Sequence, residues 1–183
     1  MNYDSFSHGQ ITSKVWLCEE FESHIPPQQN VYILGGWHNV LGFMLLTRRP
    51  DHYASVVNID TDPEAIAVAN KICDAWIYAP IKVVNVVGDC NEQIVATGSV
   101  VINCSVEHFE RDDWFFNLPK GTLVCIQSSD MTDPEEPWLI KSANPDMKTL
   151  VNRFPVTDIL HMGTKRIQYN HFGYNRFMLI GRT

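Results

Sequence analysis

Short apolar runs that alternate with helical patterns constrain this chain more than any other feature. Val31-Tyr32-Ile33-Leu34 is one such run, closed by Gly35-Gly36, and Val40 to Leu46 follows with helical spacing up to Arg48-Arg49-Pro50. Ala54 to Ile59 and Pro63 to Cys73 repeat the scheme, with Asp62 placed to cap the helix and Pro63 suited to its first turn. Ile81 to Val87 predicts a third strand that ends in Gly88-Asp89, and Gly98 to Ile102 a fourth. A short helix over Glu110 to Asn117 leads through Leu118-Pro119-Lys120-Gly121 into the strand Thr122 to Gln127. Buried strands alternating with helices imply an α/β fold whose mostly parallel sheet is covered on both faces, a three-layer sandwich.

The two ends of the chain depart from this alternation. From Gln10 to Ser23, Ile11, Val15, Leu17, Cys18 and Phe21 recur at helical spacing before Pro26-Pro27, which predicts an amphipathic N-terminal helix. After a loop from Ser128 to about Pro145 comes a helix near Asp146 to Asn152, then two strand candidates, Asp158 to Gln168 and Arg176 to Ile180. That finish reads as a hairpin. With no internal repeat and no Gly/Ser-rich linker, the 183 residues, 45% of them hydrophobic, are expected to form a single domain over 1–183.

Fourteen Lys and Arg against 21 Asp and Glu give a formal charge of -7, which repels free duplex nucleic acid instead of attracting it. Five cysteines without a Cys-x-x-Cys pair read as reduced, buried thiols. Neither a secretory start nor a run of 18 apolar residues is found. The expectation is a soluble, cytoplasmic protein with no membrane partner.

Ligands of open parallel sheets bind beyond the carboxyl ends of the strands, and the polar residues of interest fall there. Gly35-Gly36-Trp37-His38-Asn39 follows the first strand, Asp60 ends the second, Asp89 follows the third, and Asn103-Cys104-Ser105-Val106-Glu107-His108 follows the fourth. Glycine after the first strand admits a ligand close to the backbone. The dinucleotide fingerprint, however, needs glycines where Trp37 and Val40 stand, which counts against NAD. Asp60 lies 25 positions after Gly35, near the offset at which a carboxylate accepts from both hydroxyls of a ribose. Asp89 suits an exocyclic amino group, and Cys90 beside it lies against a base or is simply a buried thiol.

Together, Val31 to Gly36, Val57 to Asn70, Val86 to Cys90, Val101 to Asn103 and Leu118 to Gln127 resemble the successive motifs of class I S-adenosylmethionine-dependent methyltransferases. The strongest match is Asn58-Ile59-Asp60-Thr61-Asp62-Pro63-Glu64-Ala65-Ile66, similar to the family's acidic second motif and the helix after it. The resemblance implies a Rossmann-like, seven-stranded sheet of order 3-2-1-4-5-7-6 with an antiparallel last strand. It implies S-adenosyl-L-methionine as cofactor, with Gly35 at the methionine part, Asp60 at the ribose and Asp89 at the adenine amino group. Gly36, Thr61, Cys90 and Asn103 fall in the same motifs and Trp37 directly follows the first, so these five are further cofactor-binding candidates. Two positions depart from the family pattern: Ile33 stands where many members have an acid, and Trp37 where they have glycine.

The segment after the fourth strand is where this family places substrate-facing groups, here Asn103, Ser105, Glu107 and His108. Glu107 or His108 is the candidate base; alternatively Glu107 orients the acceptor and His108 pairs with Glu110. The N-terminal segment Phe6-Ser7-His8-Gly9-Gln10 with its helix is a candidate lid that brings His8 and Lys14 toward the acceptor, or Ser7 simply caps that helix. Tyr169, Phe172, Tyr174 and Phe177 line an acceptor pocket or pack on the sheet. The acidic loop from Ser129 to Pro137 is a solvated surface or attracts a cationic acceptor. His161 and His171 lack metal-ligand spacing, and no metal is expected. A methyltransferase acting on a small-molecule acceptor is the leading expectation. Its alternatives are an aminopropyl transferase on the same fold and a non-catalytic cofactor- or partner-binding protein.

Overall fold

The computed structural model describes residues 3–74, 82–132 and 140–183. Seven strands form one sheet: β1 (Gln29–Leu34), β2 (Tyr53–Asp60), β3 (Lys82–Val87), β4 (Val100–Asn103), β5 (Leu123–Ser129), β6 (Asp158–Gln168) and β7 (Gly173–Arg182). Their order is β3-β2-β1-β4-β5-β7-β6, as the resemblance implied. β1 to β5 run parallel, and β7 inserts antiparallel between β5 and β6. The strand order switches direction between β1 and β4, which opens a cleft at the strand ends, and the loops after β1, β2, β3 and β4 converge there.

Side chains alternate across the sheet and divide the core into two layers. On one face Ile33, Val56, Ile102, Cys125 and Ile180 pack with Leu17, Phe21, Leu41 and Leu45 from α1 (His8–Phe21) and α2 (Val40–Arg48). On the other, Leu34, Val101, Val124, Ile126 and Leu179 pack with Trp114 and Phe115 of α4 (Asp113–Phe116) and with Leu150 of α5 (Met147–Arg153). Ser7 caps α1 by accepting from Gln10 N at 3.5 Å, so the capping expectation for Ser7 holds. Asp62 caps α3 (Pro63–Cys73) by accepting from Glu64 N at 2.8 Å. The buried face of α1 runs through Lys14, Leu17, Cys18 and Phe21, so a lysine heads an otherwise apolar stripe.

Three boundaries differ from the sequence expectations. The helix expected over Glu110 to Asn117 contracts to Asp113–Phe116, because Glu110 and Arg111 instead reach Lys141 and Asp89. β4 begins at Val100, after a turn closed by Ser99 N donating to Ala96 O at 3.2 Å. β7 is twice the expected length, since its pairing with β6 continues to Gly173 at the hairpin tip. Ile81 and the acidic stretch 133–137 lie outside the described residues. Among the described residues no helix is long and apolar enough to cross a membrane.

Candidate functional site

The cleft at the strand ends encloses about 690 Å³ and is walled by all four loops together with Gln10 and Lys14 of α1 and Arg176 of β7. Gly35, Gly36, Trp37, Asp60, Thr61, Asp89, Cys90, Ser105, Glu107 and His108 all line it. Two expected residues do not. Asn103 is fully buried, and its Oδ1 accepts from Ser105 N at 3.1 Å, so it shapes the turn after β4 from below. His8 stands exposed at a separate hollow of about 470 Å³, edge-on to the Tyr169 ring at 5.5 Å. α1 turns that side of its first residue toward the β6-β7 tip.

The loop after β1 alternates left-handed residues: Gly35, Trp37 and Asn39 have φ of 62°, 50° and 54°. A Cβ on Gly35 would also meet Ser105 Oγ at 2.8 Å and the Phe109 ring at 2.9 Å. Gly35→Ala is therefore expected to lose about 1–2 kcal/mol of stability from backbone conformation alone, read as a lower denaturant midpoint. Trp37 stands in a glycine-like conformation without being glycine, and two bonds hold it there. Its N–H donates to Asp60 Oδ2 at 2.8 Å, and its carbonyl accepts from Asn58 Nδ2 at 3.3 Å. Its ring stacks on His38 with centroids 4.3 Å apart. His38 lies 2.9 Å from Ser5 Oγ, and burial pushes its pKa down, which favours the neutral imidazole.

Asp60 thus does local work before any ligand arrives, since Oδ1 also accepts from Asp62 N at 3.0 Å. Each carboxylate oxygen has a second lone pair, so both keep capacity toward the cleft. Asp89 Oδ1 takes Asn91 N at 2.8 Å and Asn91 Nδ2 at 3.0 Å, while Oδ2 takes Arg111 at 3.1 Å. Hydrogen bonding from Asn91 holds the Asp89 pKa low, so the group remains an acceptor. Burial pushes the Cys90 thiol up to about 11, which makes it an apolar wall and not a nucleophile.

The other half of the cleft lies over β4, β5 and β7. Ser105 Oγ donates to Gly35 O at 3.1 Å and ties the two loops together. Glu107, 3% exposed, receives Arg176 and Ser129 on Oε1, while the second Arg176 nitrogen donates to Cys104 O. Glu107 Oε2 and Arg176 Nε have no partner among the described residues. Burial works against the Arg176 charge; the Glu107 carboxylate foremost outweighs it, so the pKa of Arg176 stays above its usual value. Lys14 Nζ donates to Gln10 Oε1. His108 is exposed on the wall, and Glu110 pairs with Lys141 at 2.8 Å. The aromatic group proposed for the acceptor pocket is divided: Tyr169 and Phe172 stack at the hairpin tip, and Phe177 is core. His161 lies 3.3 Å from Glu20, and His171 lines the outer hollow.

Sequence reasoning passed over Arg176, Gln10 and His38 as site residues. The available signal was a lone arginine opening the apolar run Phe177-Met178-Leu179-Ile180, since an arginine on a buried strand requires a partner.

No family model and no curated protein sequence matches the chain. Solved structures do. The N-methyltransferase NodS from Bradyrhizobium japonicum WM9 superposes with a TM-score of 0.67 at 13% identity, over 96% of this chain and 97% of that one. Magnesium protoporphyrin IX methyltransferase from Synechocystis PCC 6803, solved with bound SAM, gives 0.64 at 11% identity, over 95% of this chain and 80% of that one. Phosphoethanolamine N-methyltransferase 2 of Haemonchus contortus, in complex with S-adenosyl-L-methionine, gives 0.63 at 10% identity, over 98% and 58%. Strand order, the antiparallel β7 and these superpositions agree: the chain has the Rossmann-like fold of the class I S-adenosylmethionine-dependent methyltransferases.

Proposed function

We propose that this protein is an S-adenosyl-L-methionine-dependent methyltransferase acting on a small-molecule acceptor. The observation that carries the reading is Asp60: its carboxylate ends β2, fixes the glycine-loop conformation through Trp37 N, and faces the cleft with lone pairs to spare. The donor set fits an adenosine with a sulfonium tail. Asp60 suits the ribose diol and Asp89 the exocyclic amine, Cys90 offers an apolar wall, and the Gly35-Gly36 turn gives close backbone approach. Ile33 is fully buried and brings no acid to the cleft.

The cofactor, when bound, supplies an electrophilic methyl carbon on a sulfonium. The chain supplies position and a dry enclosure, because methyl transfer needs the acceptor held in line and shielded from water. Gln10 and Lys14 of α1 close the cleft on one side, while Trp37, Val40 and Phe109 give it apolar wall. Glu107 is a positioning residue in this reading. Taking a proton would leave Arg176 as an unpaired buried cation, which costs several kcal/mol. Of the two candidate bases, His108 is the exposed one on the cleft wall.

The test compares S-adenosylmethionine with its decarboxylated form, and follows tritium from the labelled methyl group into small molecules. Methyl transfer with preference for the carboxylated form is the expected result. Preference for the decarboxylated form would support aminopropyl transfer, and binding without transfer to any acceptor would leave a non-catalytic binder.

A further inference from the structure

The two bases considered so far fall short for opposite reasons: Glu107 is locked to Arg176, and His108 meets bulk water on the wall. Lys14 lies between these extremes. It lines the cleft from α1, is 7% exposed, and donates to Gln10 Oε1 one turn earlier on the same helix. Arg111, Lys141 and Arg176, the other cations of the lining, each have a carboxylate partner. None of the ion pairs among the described residues includes Lys14.

The titratable and charged groups that act on Lys14 come from each element around it: Asp4 from the 3-10 turn Tyr3–Phe6, Cys104 and Glu107 from the loop after β4, and Arg176 from β7. Burial favours the uncharged amine most, and the Arg176 cation acts the same way. Cys104, Asp4 and Glu107 oppose them without prevailing, so the Lys14 pKa is lowered. A carboxylate in place of Gln10 would hold the proton on Nζ. The amide oxygen instead accepts one N–H from the neutral amine as readily as from the ammonium, which fixes the nitrogen and leaves its lone pair free. Carboxylates outnumber cations in the lining even when Lys14 is charged, so a proton taken there creates no surplus of positive charge. Position agrees: Ser105, next to Cys104, donates to Gly35 O and joins the β4 loop to the turn expected to receive the cofactor's methionine part. Lys14 belongs to the β4-β7 side of that junction, with Cys104 and Arg176.

Resting on the methyltransferase reading above, we propose that Lys14, aligned by Gln10, is the general base and that the acceptor is a hydroxyl compound. An amine acceptor attacks with a lone pair it already has, whereas a hydroxyl needs its proton removed as the new bond forms. The neutral Nζ takes the proton of the O–H while an oxygen lone pair forms the bond to the methyl carbon. The carbon–sulfur bond breaks with its electron pair left on sulfur, giving S-adenosylhomocysteine, and the Lys14 ammonium then returns the proton to solvent.

Two measurements on the full chain test this. In protein carrying 13C-lysine, the NMR signal missing from Lys14→Arg is followed against pH, and its midpoint is expected below those of the other lysines. Tritiated methyl transfer is then measured with the small-molecule fraction of a cell extract as acceptor pool. The wild-type rate should rise with pH up to the Lys14 midpoint and level off above it, since only the neutral amine accepts a proton. Lys14→Met and Lys14→Arg, their folds checked by thermal transition, should each lose about 100- to 10,000-fold in rate. Both should keep S-adenosylhomocysteine affinity within about twofold. Arginine keeps the charge but cannot act as the base, so activity retained in Lys14→Arg overturns the proposal. So does titration of Lys14 together with the other lysines, a wild-type rate that does not follow the Lys14 midpoint, or a labelled product methylated on nitrogen. A larger loss of S-adenosylhomocysteine affinity in both variants also overturns it, since Lys14 would then serve the cofactor. Wild type that transfers no label overturns the methyltransferase reading, and the base with it, whereas transfer combined with any of those contrary results overturns the role of Lys14 alone.

Discussion

Asp60→Ala is expected to lower S-adenosylhomocysteine affinity by roughly 10- to 100-fold, measured by calorimetric titration of the folded variant. Two losses combine. The ribose loses a charged acceptor for its hydroxyls, and the Trp37 N–H loses the oxygen that holds it at 2.8 Å in a left-handed conformation. Asp60→Asn separates them. Its amide oxygen can still accept from Trp37 while the charge is gone, so an intermediate loss is expected. Unchanged affinity in Asp60→Ala would remove the ribose from this strand end.

The second large effect concerns stability. Arg176→Met strips the partner from a Glu107 carboxylate that is 3% exposed, and breaking one side of a buried pair costs about 3–5 kcal/mol. For a chain of this size that corresponds to a fall in Tm of roughly 6–20 °C. Replacing both partners, as Glu107→Leu with Arg176→Met, removes the orphaned charge and should recover much of the loss. A double variant no more stable than Arg176→Met would mean that other bonds dominate. The candidates are the bond from Arg176 to the Cys104 carbonyl and that from Ser129 Oγ to Glu107 Oε1 at 3.2 Å.

The sheet was legible because its strands are short apolar runs punctuated by glycine and proline, signals carried by adjacent residues. Pro63–Cys73 and Asp158–Gln168 have the boundaries their local pattern predicts. The β1-side cleft was legible for the same reason: Gly35, Asp60 and Asp89 sit at strand ends, where position alone locates them. The β4-β5-β7 half was less so. Arg176 reads as the start of a strand until β7 is seen to insert beside β5, where Arg176 pairs in register with Ser129 and reaches Glu107, 69 residues away in sequence. Glu107 read as a base or as a group that orients the acceptor, and nothing local announces its pairing with Arg176. His8 was drawn toward the acceptor by its place in the lid segment, yet the direction of α1 sends it to the hairpin tip. Such choices depend on tertiary contacts that no local period encodes.

Amide NMR of the labelled protein during titration with S-adenosylhomocysteine tests the central claim most directly. Shifts at Gly35 to His38, at Asp60 and Thr61, and at Asp89 to Asn91, with little change at Gln168 to Phe172, would place the ligand in the cleft at the ends of β1 to β3. No shifts from a folded protein, or shifts confined to the hollow around His8 and Tyr169, would contradict it.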